Sequence, residues 1–143
     1  MSTPVLVTQF YERLWNAADA AALPEILAPD FVFRGSLGVE LKGRCAFWDY
    51  VCGVRAALDH YRCDVLDCVS EGPNAFARMR FSGIHVGELR GCRATGLPVH
   101  WQGAALFHFE EERIRESWVL GDLSGLDAVL KSNGVVDLGK MGE

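Results

Sequence analysis

The chain is decided by one stretch, Phe81-Ser-Gly-Ile-His85-Val-Gly-Glu88, followed by Thr95-Gly96, Val99-His100-Trp101, Phe107-His-Phe109 and Ile114-Arg-Glu116-Ser-Trp118-Val-Leu-Gly-Asp122. Apolar and polar residues alternate with period two, and the polar breaks fall where a chain must turn. That pattern describes long antiparallel strands with one face on a core and the other lining something else. Extended to its neighbours, it predicts strands over about 61–70, 74–86, 97–109 and 113–121. Glu71-Gly72-Pro73-Asn74 and Glu110-Glu111-Glu112 mark the hairpin turns.

The N-terminal half reads differently. Thr3-Pro4 supplies a capping residue and a first-turn proline. Val7, Phe10, Tyr11, Leu14, Trp15 and Ala18 then recur at three- and four-residue steps, as one apolar helical stripe does. Asp19 caps a short second helix running to about Leu27, with Pro24 near its start, and Pro29-Asp30 ends it. Phe31-Val-Phe33 is a short strand and Gly35-Ser-Leu-Gly38 a loop. Gly43 to about Leu58 forms a third helix with Phe47, Val51, Val54 and Leu58 on one side. After the last strand, Asp122 to Lys131 closes with a short amphipathic helix stopped by Asn133-Gly134. Residues 1–134 are read as a single domain and 135–143 as a loose tail. Three helices followed by a strongly curved antiparallel sheet is an α+β plan, with a pocket between helices and sheet.

Composition narrows the function classes. Of the 143 residues, 50% are hydrophobic and 23% charged, which is globular, and the formal net charge of −5 favours neither nucleic acid nor an anionic membrane as partner. No basic-plus-apolar N-terminal segment suggests secretion, and no apolar run reaches bilayer length. The five cysteines, at positions 45, 52, 63, 68 and 92, include no C-x-x-C pair, so a reduced, cytoplasmic protein is expected. Neither Cys nor His spacing supplies a four-ligand set, so no metal is expected.

The spacing of His85, Glu88, Thr95-Gly96, Trp101, Glu116-x-Trp118 and Asp122 resembles the SnoaL-like polyketide cyclase and ester cyclase families of the NTF2-like superfamily, cone-shaped α+β domains. The helix-1 stripe, Ala28-Pro-Asp-Phe31 and Gly43 are also similar to the family pattern. The resemblance implies an internal pocket, dimerisation through the sheet and, in the cyclases, a cofactor-independent aldol-type ring closure. In that chemistry the acidic residue a few positions after the Glu-x-Trp strand, here Asp122, is the general acid/base, and a pocket histidine, here His85, can assist. Two other activities on this fold fit less well. Ketosteroid isomerases carry a base Asp just after the first strand, where this chain has Arg34, and a second acid near the position of Trp101-Gln102. Tyr11 matches their helix-1 tyrosine, but without the base. Limonene-type epoxide hydrolases need an Asp-Arg-Asp set, of which Arg34 and Asp122 are present and no third member is placed.

Each candidate has two readings. A carboxyl at a strand end aimed into an apolar pocket has its charged form disfavoured and can work as an acid/base, yet Asp122 is also placed to cap the last helix. His85 shares a strand face with Phe81 and Gly83. It either exchanges protons with a ligand or bonds a neighbouring strand or Glu88, and an unperturbed value near ~6.5 serves both. Trp101, Trp118, Phe107, Tyr11 and Trp15 suit a flat hydrophobic ligand, but large aromatics also fill cores. Trp101 lies on the opposite strand face from His100 and Gln102, and only one of these sets can line the pocket. Arg34 can hold a substrate oxygen with its planar fork or pair with Glu40 or Asp30. Two functions follow: a cyclase acting on a small hydrophobic carbonyl or polyketide-like compound, or a non-catalytic module that binds such a molecule or serves as a dimeric interaction domain.

Overall fold

The computed structural model describes residues 3–141, with side chains through Gly134. Helix α1 (Val5–Gln9) continues as a π-helical stretch, Phe10–Asn16, in which the Ala17 N–H donates to the Glu12 carbonyl at 2.9 Å. A 3₁₀ turn (Ala20–Ala22) leads into α2 (Leu23–Ile26), β1 (Leu27–Arg34), β2 (Glu40–Lys42), α3 (Arg44–Ala57), β3 (Leu58–Glu71), β4 (Asn74–His85), β5 (Pro98–Glu110), β6 (Arg113–Gly121) and α4 (Leu123–Met141). The strands form one six-stranded sheet in the order β2-β1-β6-β5-β4-β3. Every neighbouring pair is antiparallel except β1 and β6, which run parallel.

The long strands fall where the alternation predicts them. At the β5–β6 hairpin, Glu111 and Glu112 both take positive φ (51° and 64°), the geometry that matches hairpin twist, without the glycine or asparagine that usually supplies it. Three local expectations are corrected. Pro4, not Thr3, occupies the cap position of α1, and no side chain caps it. Strand β1 begins at Leu27, before Pro29-Asp30, with a register shift between Leu27 and Val32 that absorbs the proline. The backbone of α4 passes through Asn133-Gly134, and Asn133 spends its side chain on the Pro98 carbonyl at 2.9 Å. The tail expected over 135–143 concerns side chains outside the described residues.

The sheet curls so that one face of β1, β4, β5 and β6 turns inward, and the helices must fill the concavity. Phe10 stands at its centre. Its ring centroid lies 5.0 Å from Tyr11, 5.5 Å from both Phe47 and Phe107, and 6.3–6.4 Å from Phe31 and Phe33. Polar clamps hold the helices on the sheet. The Asn16 amide donates to the Cys63 carbonyl (3.0 Å) and accepts from its N–H (2.8 Å), completing the β3 edge, and Arg55 donates to the Trp15 carbonyl at the end of the π stretch.

The outer face carries a continuous cross-strand row. Arg34 pairs with Trp118, Trp118 with Leu106, Leu106 with Phe76, and Phe76 with Val69. Trp118, Leu106, Phe76 and Val69 are all exposed. No helix of the described residues is long and apolar enough to cross a membrane.

Because Phe10 joins the helices to strands β1 and β5, Phe10→Ala should cost about 3–5 kcal/mol of stability. Urea unfolding measures this, and a loss below about 1 kcal/mol would show that the ring is not the centre of the core.

Candidate functional site

Between the π stretch, α3 and the inner sheet face lies a cavity with about 310 Å³ of empty space, including its open mouth. It is lined by Phe10, Tyr11, Trp15, Phe33, Ser36, Tyr50, Val54, Tyr61, Phe81, Trp101 and Val119. Its gaps are narrow and hold about one water inside. No carboxylate, lysine or arginine is among these residues, so the walls are aromatic and aliphatic with a few neutral polar atoms.

The inner wall is set by register. Phe81 faces Trp101 across β4 and β5, and their rings stack with centroids 5.0 Å apart. Gly103 makes this stack possible, because a Cβ there would come within 2.6 Å of the Phe81 ring. At the mouth, the Gly35–Gly38 turn is closed by a bond from the Gly38 N–H to the Gly35 carbonyl at 2.9 Å. A Cβ on Gly35 would meet the Tyr50 hydroxyl at 2.7 Å, and one on Gly121 would meet the Ser36 carbonyl at 2.6 Å. The turn is thus wedged between Tyr50 and the end of β6, and only glycine fits at either contact.

The structure separates the residues expected to form the site. Tyr11, Trp15 and Trp101 line the cavity together, which places Trp101 rather than His100 and Gln102 on the pocket face. Phe107 is fully buried against Phe10 and Tyr11, behind the wall. Trp118 and Arg34 are corrections: both lie on the outer sheet face. Strand β6 carries an extra residue near Arg115, opposite the His108–Phe109 step. Ser117 and Val119 therefore point inward and Trp118 outward. Arg34 covers the Trp118 ring, with its guanidinium carbon 5.1 Å from the ring centroid, and donates to the Val119 carbonyl. Asp30 pairs with Arg115 instead (3.1 Å).

Asp122 is exposed and does not line the cavity. The sheet ends at Gly121, and the Asp122 carboxylate turns back to accept the Gly125 N–H at 2.9 Å, capping α4. The Asp122 N–H donates to the Gln102 carbonyl (2.8 Å), which ties the cap to β5.

His85 is fully buried on the inner face but is not a lining residue of the cavity. Between Phe81 and His85 that face carries Gly83, where Leu58 fills the space a side chain would need (2.9 Å to a Cβ). Its Nδ1 lies 3.3 Å from Thr95 Oγ1, and that hydroxyl already accepts the Leu97 N–H. A hydroxyl that donates to Nδ1 satisfies both groups and leaves the ring proton on Nε2, which has no partner. Leaving such a group unpaired costs about 1–3 kcal/mol.

Sequence reasoning missed Phe10, Tyr50, Tyr61, Phe33, Phe81, Ser36, Val54 and Val119 as lining residues. The signal for Phe81 was present, since it shares a strand face with His85, whereas Phe33 and Val119 alternate with the chosen Arg34 and Trp118 and so lie on the other face from them. Tyr50 stands at the edge of the apolar stripe of α3, three residues after Phe47 and four before Val54, and its ring fits at the mouth because Gly35 leaves room, a contact between distant segments. Among the described residues no three His, Cys, Asp or Glu side chains converge as a metal site would require.

The cavity is dry enough to perturb its phenols. Burial raises Tyr50 to about 12, opposed by a hydrogen bond with the Leu37 backbone and by the Arg34 charge. Burial, reinforced by nearby ionisable groups, lifts Tyr11 and Tyr61 well above their ordinary value. A raised phenol favours the neutral form when folded. Its stabilising contribution is therefore complete below the unfolded value near ~10 and is lost as pH rises through the folded value. All three tyrosines of the chain are shifted this way. At about pH 11 the folded protein should show little tyrosinate absorbance while the urea-unfolded chain shows nearly all of it. Equal absorbance from the two would mean the cavity is wet.

An α+β cone with an aromatic inner cavity defines the class. The chain belongs to the SnoaL-like polyketide cyclase family, whose pattern matches residues 5–130. Among solved structures it is similar to TsrD from Streptomyces laurentii, with 25% identity over 91% of this chain and 98% of that one and a TM-score of 0.77. It is also similar to a candidate polyketide cyclase from Acidithiobacillus ferrooxidans, with 22% identity over 93% and 99% and a TM-score of 0.79. A protein of ketosteroid isomerase-like fold from Catenulispora acidiphila shares 18% identity over 91% and 95%, with a TM-score of 0.76. No curated protein matches the chain.

Proposed function

We propose that the cavity binds a small, flat, hydrophobic carbonyl compound and that the chain promotes its cofactor-independent ring closure by acid/base chemistry. The observation that carries this reading is the cavity wall itself, eight aromatic side chains and no charged group, its phenols being held neutral by burial. Such a wall favours neutral, planar surface and excludes charge. In the reaction, a base takes the proton alpha to one carbonyl and the enolate carbon bonds to a second carbonyl carbon. The resulting alkoxide then takes a proton back. Asp122 is the group assigned to carry the proton. It stands one residue beyond Gly121, which packs on the lining residue Ser36, so it works from the rim. His85, held by Thr95 behind Leu58, acts by positioning. A second reading, binding without chemistry, is favoured by the use of Asp122 as an exposed cap.

Asp122→Asn separates the two, because asparagine caps a helix about as well as aspartate but carries no proton between substrate atoms. The assay is deuterium uptake alpha to the carbonyl of 2-tetralone in D₂O, alongside a thermal melt. The cyclase reading predicts that the wild type accelerates exchange and that the variant loses about 10²–10⁴-fold at an unchanged Tm. Binding of 2-tetralone with no accelerated exchange would establish the non-catalytic reading.

We further propose that a second copy of this chain covers the outer row Trp118-Leu106-Phe76-Val69. A two-fold pair lays this patch on itself and removes both copies from water at once. Light scattering should give a dimer, and Trp118→Glu should give a folded monomer. A monomeric wild type would refute the pairing.

A further inference from the structure

Four buried polar side-chain atoms have no hydrogen-bond partner among the described residues, and two of them are the indole Nε1 atoms of Trp15 and Trp101. Both residues line the cavity, and both are almost wholly buried, at 5% and 3% exposure. Buried N–H groups are rarely left unpaired, since each costs about 1–3 kcal/mol, and two on residues that line one small space call for a common reason.

Packing fixes both rings. Trp101 is stacked on Phe81, and Trp15 is held against Tyr61, Phe47 and Tyr50 at centroid distances of 5.3, 5.8 and 6.0 Å. Neither can turn its nitrogen to water without displacing a wall. Two of the wall's hydroxyls already have partners, while those of Tyr61 and Ser36 can each donate or accept. The Tyr11 hydroxyl donates to the Met79 sulfur (3.7 Å), and Tyr50 bonds the Leu37 backbone. An indole N–H donates and never accepts. The complement is therefore an acceptor, and with no cation in the wall to balance a carboxylate or phosphate it is an uncharged one.

We propose that the indole N–H groups of Trp15 and Trp101 are the ligand-recognition donors of this cavity, and that they select an aromatic or alicyclic compound bearing ketone, quinone or ester carbonyl oxygens over the matching hydrocarbon. This presupposes the cavity as the ligand site and adds which atoms read the ligand. Shape alone would not distinguish a carbonyl compound from a hydrocarbon of the same outline. Two orphaned donors would, because the hydrocarbon leaves them unpaired and the ketone does not.

The test compares 2-tetralone with tetralin, its deoxygenated counterpart, on protein labelled with ¹⁵N-tryptophan. The chain has four tryptophans, so four indole N–H signals are expected, with Trp15 and Trp101 assigned from Trp15→Phe and Trp101→Phe. The proposal predicts downfield proton shifts of the Trp15 or Trp101 signal with 2-tetralone and not with tetralin. It also predicts roughly tenfold tighter binding of the ketone and loss of that preference in at least one variant. The wild-type spectra decide the matter even if a variant fails to fold. Equal affinity for the two compounds, with neither indole shifted by the ketone alone, would overturn the donor assignment and leave the cavity as an apolar ligand site. Perturbation confined to Trp48 or Trp118, or no binding of either compound, would overturn the cavity reading together with it.

Discussion

A sheet that curls this strongly has an inner face too wide for its own side chains to fill, and everything else in the molecule answers that constraint. Phe10 takes the deepest position, in contact with rings from β1, β5 and α3. The π-helical stretch places Phe10, Tyr11, Leu14 and Trp15 all on the buried side. Departures of this kind from regular helix are often found beside functional space. Toward the rim the filling stops: Gly103 and Gly35 remove side chains where Phe81 and Tyr50 need room, and the residual space is the aromatic cavity. Core and site are thus one cluster of rings.

The two faces of the sheet have different work. Inside, parity delivers Trp101, Phe81 and Val119 to the cavity. Outside, it delivers Trp118, Leu106, Phe76 and Val69 to a row running across the strands, with Arg34 at one end in cation–π contact worth about 0.5–1 kcal/mol. The extra residue in β6 near Arg115 keeps these roles apart, because it sets which of Ser117 and Trp118 looks inward. Asp122 illustrates a similar economy. Its carboxylate, one residue past the end of β6, caps α4 and so contributes about 1 kcal/mol where sheet and helix meet.

Much of the fold was legible because alternation and helical stripes are local signals: the four long strands, α3 and the inward set Val7, Phe10, Leu14, Phe47 and Val51 follow from spacing alone. The parallel pairing of β1 with β6 and the short β2 did not show, since neither leaves a mark within its own segment. The site was half legible. Tyr11, Trp15 and Trp101 could be named from type and parity. The inward turn of Tyr50 depends on Gly35, the outward turn of Trp118 on a bulge, and the burial of His85 away from the cavity on Leu58 over Gly83. Each of these is a contact between distant segments, which periodicity does not carry.

The central claim, that the inner cavity and not the outer row is where a ligand sits, is tested most directly by a crystal structure of the protein grown with saturating 2-tetralone. The account predicts density for the ketone between Trp15, Trp101 and Tyr50, with the Gly35–Gly38 turn or the Tyr50 ring displaced to admit it. Density confined to the outer face, over Trp118 and Leu106, with the cavity walls unmoved, would contradict it.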